Sequence, residues 1–188
     1  MDLGLRDRTF VVTAASGGLG LASARALVGE GANVVLVARR ADVLDELVAS
    51  MPDQALAVAG DLADPDLPTQ AVAAALQRFS RLDGALVSVG GPPRGSVLEN
   101  SDEEWNAAFG QVFLPALRVS RAVCAVNPAP RLGFVLSTSS KIPLAHMAIS
   151  NGLRPGLAMV VKQLADETPP PPGRPPRPPP APPAPARP

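Results

Sequence analysis

The stretch T-A-A-S-G-G-L-G, residues 13–20, joins an apolar run to an Ala/Leu-rich run that begins at Leu21. Glycine at 18 and 20 lets a backbone turn tightly and approach a ligand with no Cβ in the way. A helix that starts in such a turn points free N–H groups and its positive dipole end at whatever the turn holds, which favours a pyrophosphate. Thr13, Ser16, Gly18, Leu19 and Gly20 are therefore candidate cofactor-binding positions. About 20 residues further on, a site that prefers NAD carries Asp or Glu to bond the ribose 2′-hydroxyl. This chain has Arg39-Arg40 there. A guanidinium attracts a 2′-phosphate and can bond it at two points, so NADP(H) is expected over NAD(H), with Arg39 as the contact and Arg40 solvated.

Further along stand Gly60-Asp61-Leu62, Ser88-Val89-Gly90-Gly91-Pro92-Pro93, Ser137-Thr138-Ser139-Ser140-Lys141 and Ser150-Asn151-Gly152-Leu153-Arg154. The first three each follow an apolar run. Reading back to the elements that must hold these groups, strands are expected at 9–14, 33–38, 54–59, 84–89 and 133–138. Helices are expected at 19–30, 41–50, 69–79, 101–126 and 157–166. The helix at 101 opens with a capping box, Ser101-x-x-Glu104. Pro115 should bend this helix, and Pro155 should strain any helix through its segment. Strands apolar on both faces and alternating with helices imply a parallel, doubly wound sheet of order 3-2-1-4-5. Ligands of such sheets sit beyond the carboxyl ends of the strands, where these motifs fall.

Composition narrows the function classes. Lys and Arg total 17 and Asp and Glu total 17, so no net charge would draw in nucleic acid or an anionic membrane. The single cysteine, Cys124, excludes a disulfide framework or a cysteine zinc site and makes a reducing cytoplasm the expected compartment. No metal site is expected. No apolar run in the sequence approaches the roughly 20 residues of a membrane span. The chain has no tyrosine.

Taken in order, the motifs resemble those of the short-chain dehydrogenase/reductase family, a single-domain Rossmann fold, over about residues 5–167. The resemblance is to a divergent subgroup similar to the β-ketoacyl-carrier-protein reductases, with an incomplete catalytic tetrad. Its glycine motif T-G-x-x-x-G-x-G appears as Thr13-Ala14 followed by Gly18-Leu19-Gly20, with alanine for the first glycine. The resemblance implies that Asp61 bonds the adenine amine with Leu62 beside it, and that Ser88-Val89-Gly90 replaces Asn-Ala-Gly. It implies hydride transfer between nicotinamide and a carbonyl or alcohol, with Ser140 as the substrate-bonding serine. It places Ser150 at the tyrosine, Arg154 at the lysine and Val112 at the asparagine. Arg154 could still anchor the nicotinamide ribose or a substrate carboxylate, but it cannot act as a base. His146 and Lys141 are the remaining candidates for a proton donor. Homodimers or homotetramers are also implied by resemblance alone.

The register changes at Thr168. Residues 169–188 contain only Pro, Ala, Arg and Gly, with 13 prolines in these 20 positions. Such a segment buries no core and is expected to be extended and disordered. It reads as an unselected tail, such as a shifted frame in a GC-rich gene would produce, or as a polyproline II ligand for an aromatic groove. The resemblance implies two further strands beyond the fifth, so the fifth is expected to be an open edge of a shortened sheet. The expected organisation is a dinucleotide-binding domain at 1–167 and a tail at 168–188. Two functions remain open: an atypical NADP(H)-dependent oxidoreductase for a small carbonyl or alcohol substrate, or a dinucleotide-binding pseudoenzyme or non-functional shortened fragment.

Overall fold

The computed structural model describes residues 3–169. Five parallel strands, β1 (Thr9–Thr13), β2 (Asn33–Ala38), β3 (Ala55–Ala59), β4 (Gly84–Val87) and β5 (Arg131–Phe134), form one sheet of order β3-β2-β1-β4-β5. The helices are α1 (Gly18–Gly29), α2 (Ala41–Ala49), α3 (Leu67–Phe79), α4 (Asp102–Ala108), α5 (Leu114–Val126) and α6 (Ala148–Glu167). The expected tail lies almost wholly outside the described residues.

Strand alternation divides the core in two. Val11, Val35, Val37, Ala85 and Val87 face α3, α5 and α6, packing with Leu67, Val72, Val119, Val123 and Leu157. Val12, Val34 and Leu36 point the other way, onto Ala24, Leu44 and Leu47 of α1 and α2. Both faces are thus dry, which is why β1 and β2 are apolar at successive positions. At the amino-terminal edge of the sheet, Asp83 is buried and accepts four hydrogen bonds, two of them from Arg81, whose Nε donates at 2.8 Å. Arg8 Nη1 donates at 2.8 Å, Arg81 Nη2 at 2.7 Å, and the Thr9 N–H at 2.9 Å. Burial pushes the Asp83 pKa up, but the hydrogen bonds from Arg81, Arg8 and Thr9 outweigh it and hold the carboxyl at about 2.

Three boundaries differ from the sequence expectation. The fifth strand spans Arg131–Phe134 rather than 133–138, because Gly84 pairs with Arg131 and Val87 with Phe134. The stretch after Leu136 leaves the sheet and closes a 3₁₀ turn at Thr138–Ser140. Secondly, α6 begins at Ala148, nine residues before the expected 157, and runs through Pro155. The helix survives the missing N–H because tertiary packing holds it. A Cβ on Gly152 would meet Trp105 Cη2 at 2.6 Å, so this glycine admits the indole ring onto α6, whereas one on Gly156 would make only ordinary contact with Phe113 Cε2 at 3.5 Å. Thirdly, the helix expected at 101–126 is interrupted by a π turn at Phe109–Phe113, which leaves Pro115 in the first turn of α5, where its lost N–H costs nothing. The capping box at Ser101 and Glu104 is formed.

The stretch Asp102–Val126 is nevertheless long and apolar enough, by length and composition alone, to cross a membrane, which the reading of apolar runs in the sequence missed. Its Ala108, Val112, Ala116, Val119 and Val123 are buried, as in the core helix of a folded α/β protein, which passes the same test. Strand β5 lies at the sheet edge and pairs only with β4 among the described strands.

Candidate functional site

The carboxyl ends of the strands bring the sequence motifs together at one end of the sheet. Residues 13–20 leave β1 and enter α1 at Gly18, whose φ of 54° is left-handed. Gly20 is wholly enclosed: a Cβ there would meet the Thr13 carbonyl oxygen at 2.8 Å and press on that of Ala14 still harder. No larger residue fits this position without opening the turn. Helix α1 has no side-chain cap and no acid in its first turn, so its leading N–H groups have no partner from the chain. Leu19 lies 66% exposed in the first turn of α1 and takes no part in the core. Such a turn fits the pyrophosphate of a dinucleotide: backbone donors converge on it, and a Cβ is kept out.

Thr13 is buried, and its hydroxyl is fully engaged. It donates to the Ser88 carbonyl at 2.5 Å and accepts from the Ser88 N–H at 2.8 Å. The structure therefore shows Thr13 and Ser88 as a clip between the ends of β1 and β4, which holds Val89 and Gly90 in place beside the turn. Ala14, which stands where the resembled motif has glycine, adopts φ 50°. At the end of β2, Arg39 is exposed, and so is Arg40, but Arg40 is not free in solvent as expected. Its Nη2 donates to the Ser16 carbonyl at 3.1 Å and lies 3.4 Å from the Ser16 hydroxyl. The second arginine, not the first, is thus the one already anchored against the glycine turn. Asp61 is exposed after β3 and accepts the Ala63 N–H at 2.9 Å through one carboxylate oxygen, forming an Asx turn. Leu62 packs partly buried beside it.

The other half of the site is built by the β5 end and α6. Ser139, the neighbour of the expected Ser140, is the serine that faces Ser150. Their hydroxyl oxygens are 2.9 Å apart, either one able to donate, and the Ser139 hydroxyl can instead donate to the Ser150 carbonyl at 3.3 Å. Both residues are buried. Ser140 turns back instead and donates to the Ser137 carbonyl at 2.7 Å. The 3₁₀ turn sets this phase, since one residue of rotation in so tight a turn exchanges the inward and outward hydroxyls. Asn151 clamps the loop before α6 with two bonds, accepting from the Leu144 N–H and donating to the Leu144 carbonyl. Arg154, buried one turn after Ser150, donates to the Val135 carbonyl and to the Gly90 carbonyl, each at 3.3 Å. Burial lowers its pKa from the ordinary arginine value. In S-N-x-x-R, then, each polar side chain ties α6 to a neighbouring segment.

Val112 is buried in the π turn and offers no polar side-chain atom where the resembled asparagine would be. His146 and Lys141 are both exposed on the loop between Ser140 and α6, and His146 has a left-handed φ of 54°. The Gly95 N–H donates to the His146 carbonyl, and the Ala148 N–H donates to that of Gly95, stitching the loop after β4 to the start of α6. Among the described residues, no cluster of His, Cys, Asp and Glu could hold a metal ion.

A five-stranded doubly wound sheet with an open glycine turn at its switch point defines a dinucleotide-binding α/β protein. The sequence profile described as short chain dehydrogenase matches residues 8–170. The chain belongs to the short-chain dehydrogenase/reductase family, whose fold binds NAD(P)(H). It is 30% identical over 172 residues to the human protein named dehydrogenase/reductase SDR family member 2, mitochondrial, covering 88% of this chain and 61% of the relative. It is 31% identical over 170 residues to L-xylulose reductase of Mesocricetus auratus, covering 90% and 69%. The L-sorbose reductase of Gluconobacter frateurii, solved with NADPH and L-sorbose, superposes with a TM-score of 0.84 at 29% identity, covering 89% of this chain and 66% of that one. The chain thus spans 61% to 69% of the length of these three proteins.

Proposed function

We propose that this chain binds NADP(H) and acts as an atypical oxidoreductase on a small carbonyl or alcohol substrate. The observation that carries this reading is the turn at 13–20: an enclosed Gly20, an uncapped α1 and Arg40 resting on Ser16. The 2′-phosphate of NADP(H) would be received by Arg39 and Arg40, with no carboxylate at the end of β2 to repel it. Asp61 and Leu62 would flank the adenine, and Val89 and Gly90 the middle of the cofactor. Nicotinamide, when bound, supplies hydride. The protein's part is to hold the carbonyl oxygen, and the Ser150 hydroxyl would do so when Ser139 donates to it, since the Ser150 proton is then free to point out of the pair. A serine hydroxyl has too high a pKa for easy proton donation, so turnover should be slow. The composition, with one cysteine and no net charge, supports a cytoplasmic location.

The NADP(H)-supporting relative is the sorbose reductase, whose structure contains NADPH. The test is a paired titration of NADPH and NADH followed by thermal melting. NADPH should bind the tighter of the two and raise the melting temperature. Failure of both cofactors to bind would remove the reading.

A second reading, cofactor binding without turnover, is favoured by one observation. Ser150 and Arg154, at the tyrosine and lysine positions, are buried and engaged with Ser139, Val135 and Gly90. Saturable NADPH binding with no oxidation over a broad carbonyl panel would select it.

A further inference from the structure

We propose that Arg154 is an anion-binding group and that the ligand beside the cofactor is a small oxo acid, its carboxylate on Arg154 and its oxo group on the Ser139–Ser150 hydroxyl pair. This names the substrate class of the site described above and rests on that reading for the ligand's approach to these buried groups.

Arg154 is 5% exposed, yet no acidic side chain forms an ion pair with it among the described residues. Its two bonds, both to backbone carbonyls at 3.3 Å, lie beyond the usual N–H···O range. Its Nε–H is buried without any partner. A guanidinium offers five donors in a planar fork and stays charged under all ordinary conditions. A buried charge with two long neutral contacts and an orphaned donor is an expensive arrangement unless a counter-ion arrives. Asp83 shows the contrast within the same molecule: its buried carboxylate takes bonds of 2.7–2.9 Å from two arginines and a backbone N–H.

The location narrows the counter-ion. The carbonyls that Arg154 touches belong to Gly90 and Val135, just past β4 and β5, on the side of the sheet where the other ligand-facing motifs converge. A carboxylate matches a guanidinium fork in geometry as well as charge. Ser150 lies four residues before Arg154 on the same face of α6, with Cβ atoms roughly 6 Å apart at this helical spacing. When Ser139 donates to the Ser150 hydroxyl, the Ser150 proton is left for a carbonyl oxygen, one helical turn from a cation for a carboxylate. A 2-oxo or 3-oxo acid presents these two groups on adjacent or next-adjacent carbons. A neutral ketone or a sugar would leave the guanidinium uncompensated.

The test uses the full chain, with and without saturating NADPH, titrated by calorimetry with 2-oxobutanoate, 3-oxobutanoate and their methyl esters. Each acid should bind about tenfold or more tightly than its ester, the expected weight of a charge-assisted bond. Arg154→Gln should erase that ratio, and Arg154→Lys should keep part of it. Should Arg154→Gln fail to fold, the acid-to-ester ratio of the unaltered protein decides by itself. Equal binding of acid and ester, or no binding of either acid in both states, overturns the proposal. Acid-selective binding without any NADPH binding upholds this inference while removing the cofactor reading, so the two failures are distinguishable.

Discussion

Ala14 sits in a left-handed conformation, φ 50°, at the point where β1 passes into the glycine turn. A Cβ in that region crowds the following carbonyl and costs about 1–2 kcal/mol for an ordinary L-residue. Glycine pays none of this but gives up about 0.4–1 kcal/mol through the greater freedom of its unfolded chain. Ala14→Gly should therefore stabilise the fold by about 0.5–1 kcal/mol, a rise in melting temperature of about 1–4 °C for a protein of this size. Gly20→Ala, six residues on, should do the reverse. Its Cβ would press on the Ala14 carbonyl oxygen and come within 2.8 Å of that of Thr13, and both are backbone atoms that cannot swing aside. That variant should lose several kcal/mol or fail to fold. The assay is urea unfolding, reading the midpoint at unchanged slope, with thermal melting alongside. A lower midpoint for Ala14→Gly would refute the reasoning. It would mean that the methyl group contributes more by packing than its backbone conformation costs.

Asp83 should make stability depend on acid. Its folded pKa of about 2 lies below the ordinary 3.8, so its contribution is complete above about pH 4 and is lost as the pH falls toward 2. The shift corresponds to about 2 kcal/mol, and the melting temperature of Asp83→Asn should be nearly flat over the window in which the unaltered protein loses stability through this group. Arg40→Ala should weaken NADPH binding about tenfold while leaving NADH nearly unchanged, measured by paired titration, because a rim guanidinium on a phosphate acts through charge-assisted bonds. Ser139→Ala should lower any NADPH-dependent turnover at least tenfold, whereas Ser140→Ala should leave it within about twofold, since only Ser139 faces Ser150. Equal losses from the two would reject the assignment. Gly152→Ala should destabilise by about 1–3 kcal/mol in a melt, because its Cβ would meet Trp105 at 2.6 Å.

The sheet was legible because its strands are buried on both faces. N-V-V-L-V-A can only be a central parallel strand when its odd and even positions both meet helices, and Val34, Val35, Leu36 and Val37 are all fully enclosed. The edge strand was harder. R-L-G-F carries an exposed arginine and a glycine, and only pairing with β4 identifies its frame. The first half of α6 was hidden for a different reason. Gly152, Pro155 and Gly156 all argue against a helix locally, and the Trp105 ring that requires Gly152 comes from α4, a separate element far back in the chain. In the site, the glycine turn was readable because close approach permits one residue type. The Arg40–Ser16 contact was not, because a long flexible side chain reaches wherever charge and hydroxyl draw it.

The two halves of the site differ in what the backbone demands. On the cofactor side, the constraint is steric and lies in the chain itself: Gly20 has no room for a Cβ, and Thr13 must clip β4 whatever else changes. On the α6 side, the polar residues are tied to loops, and their ties would hold with or without chemistry. Ser150 binds Ser139, and Asn151 binds Leu144 at both its backbone groups. Arg154 is the exception, because its contacts are too few and too long to account for a buried charge. A scaffold role alone would be served at lower cost by a neutral side chain of similar volume, which would satisfy the same packing without a desolvated guanidinium. On the proposal made above, the anion that completes Arg154 would be the ligand's carboxylate, and that expectation stands independently of whether hydride is ever transferred.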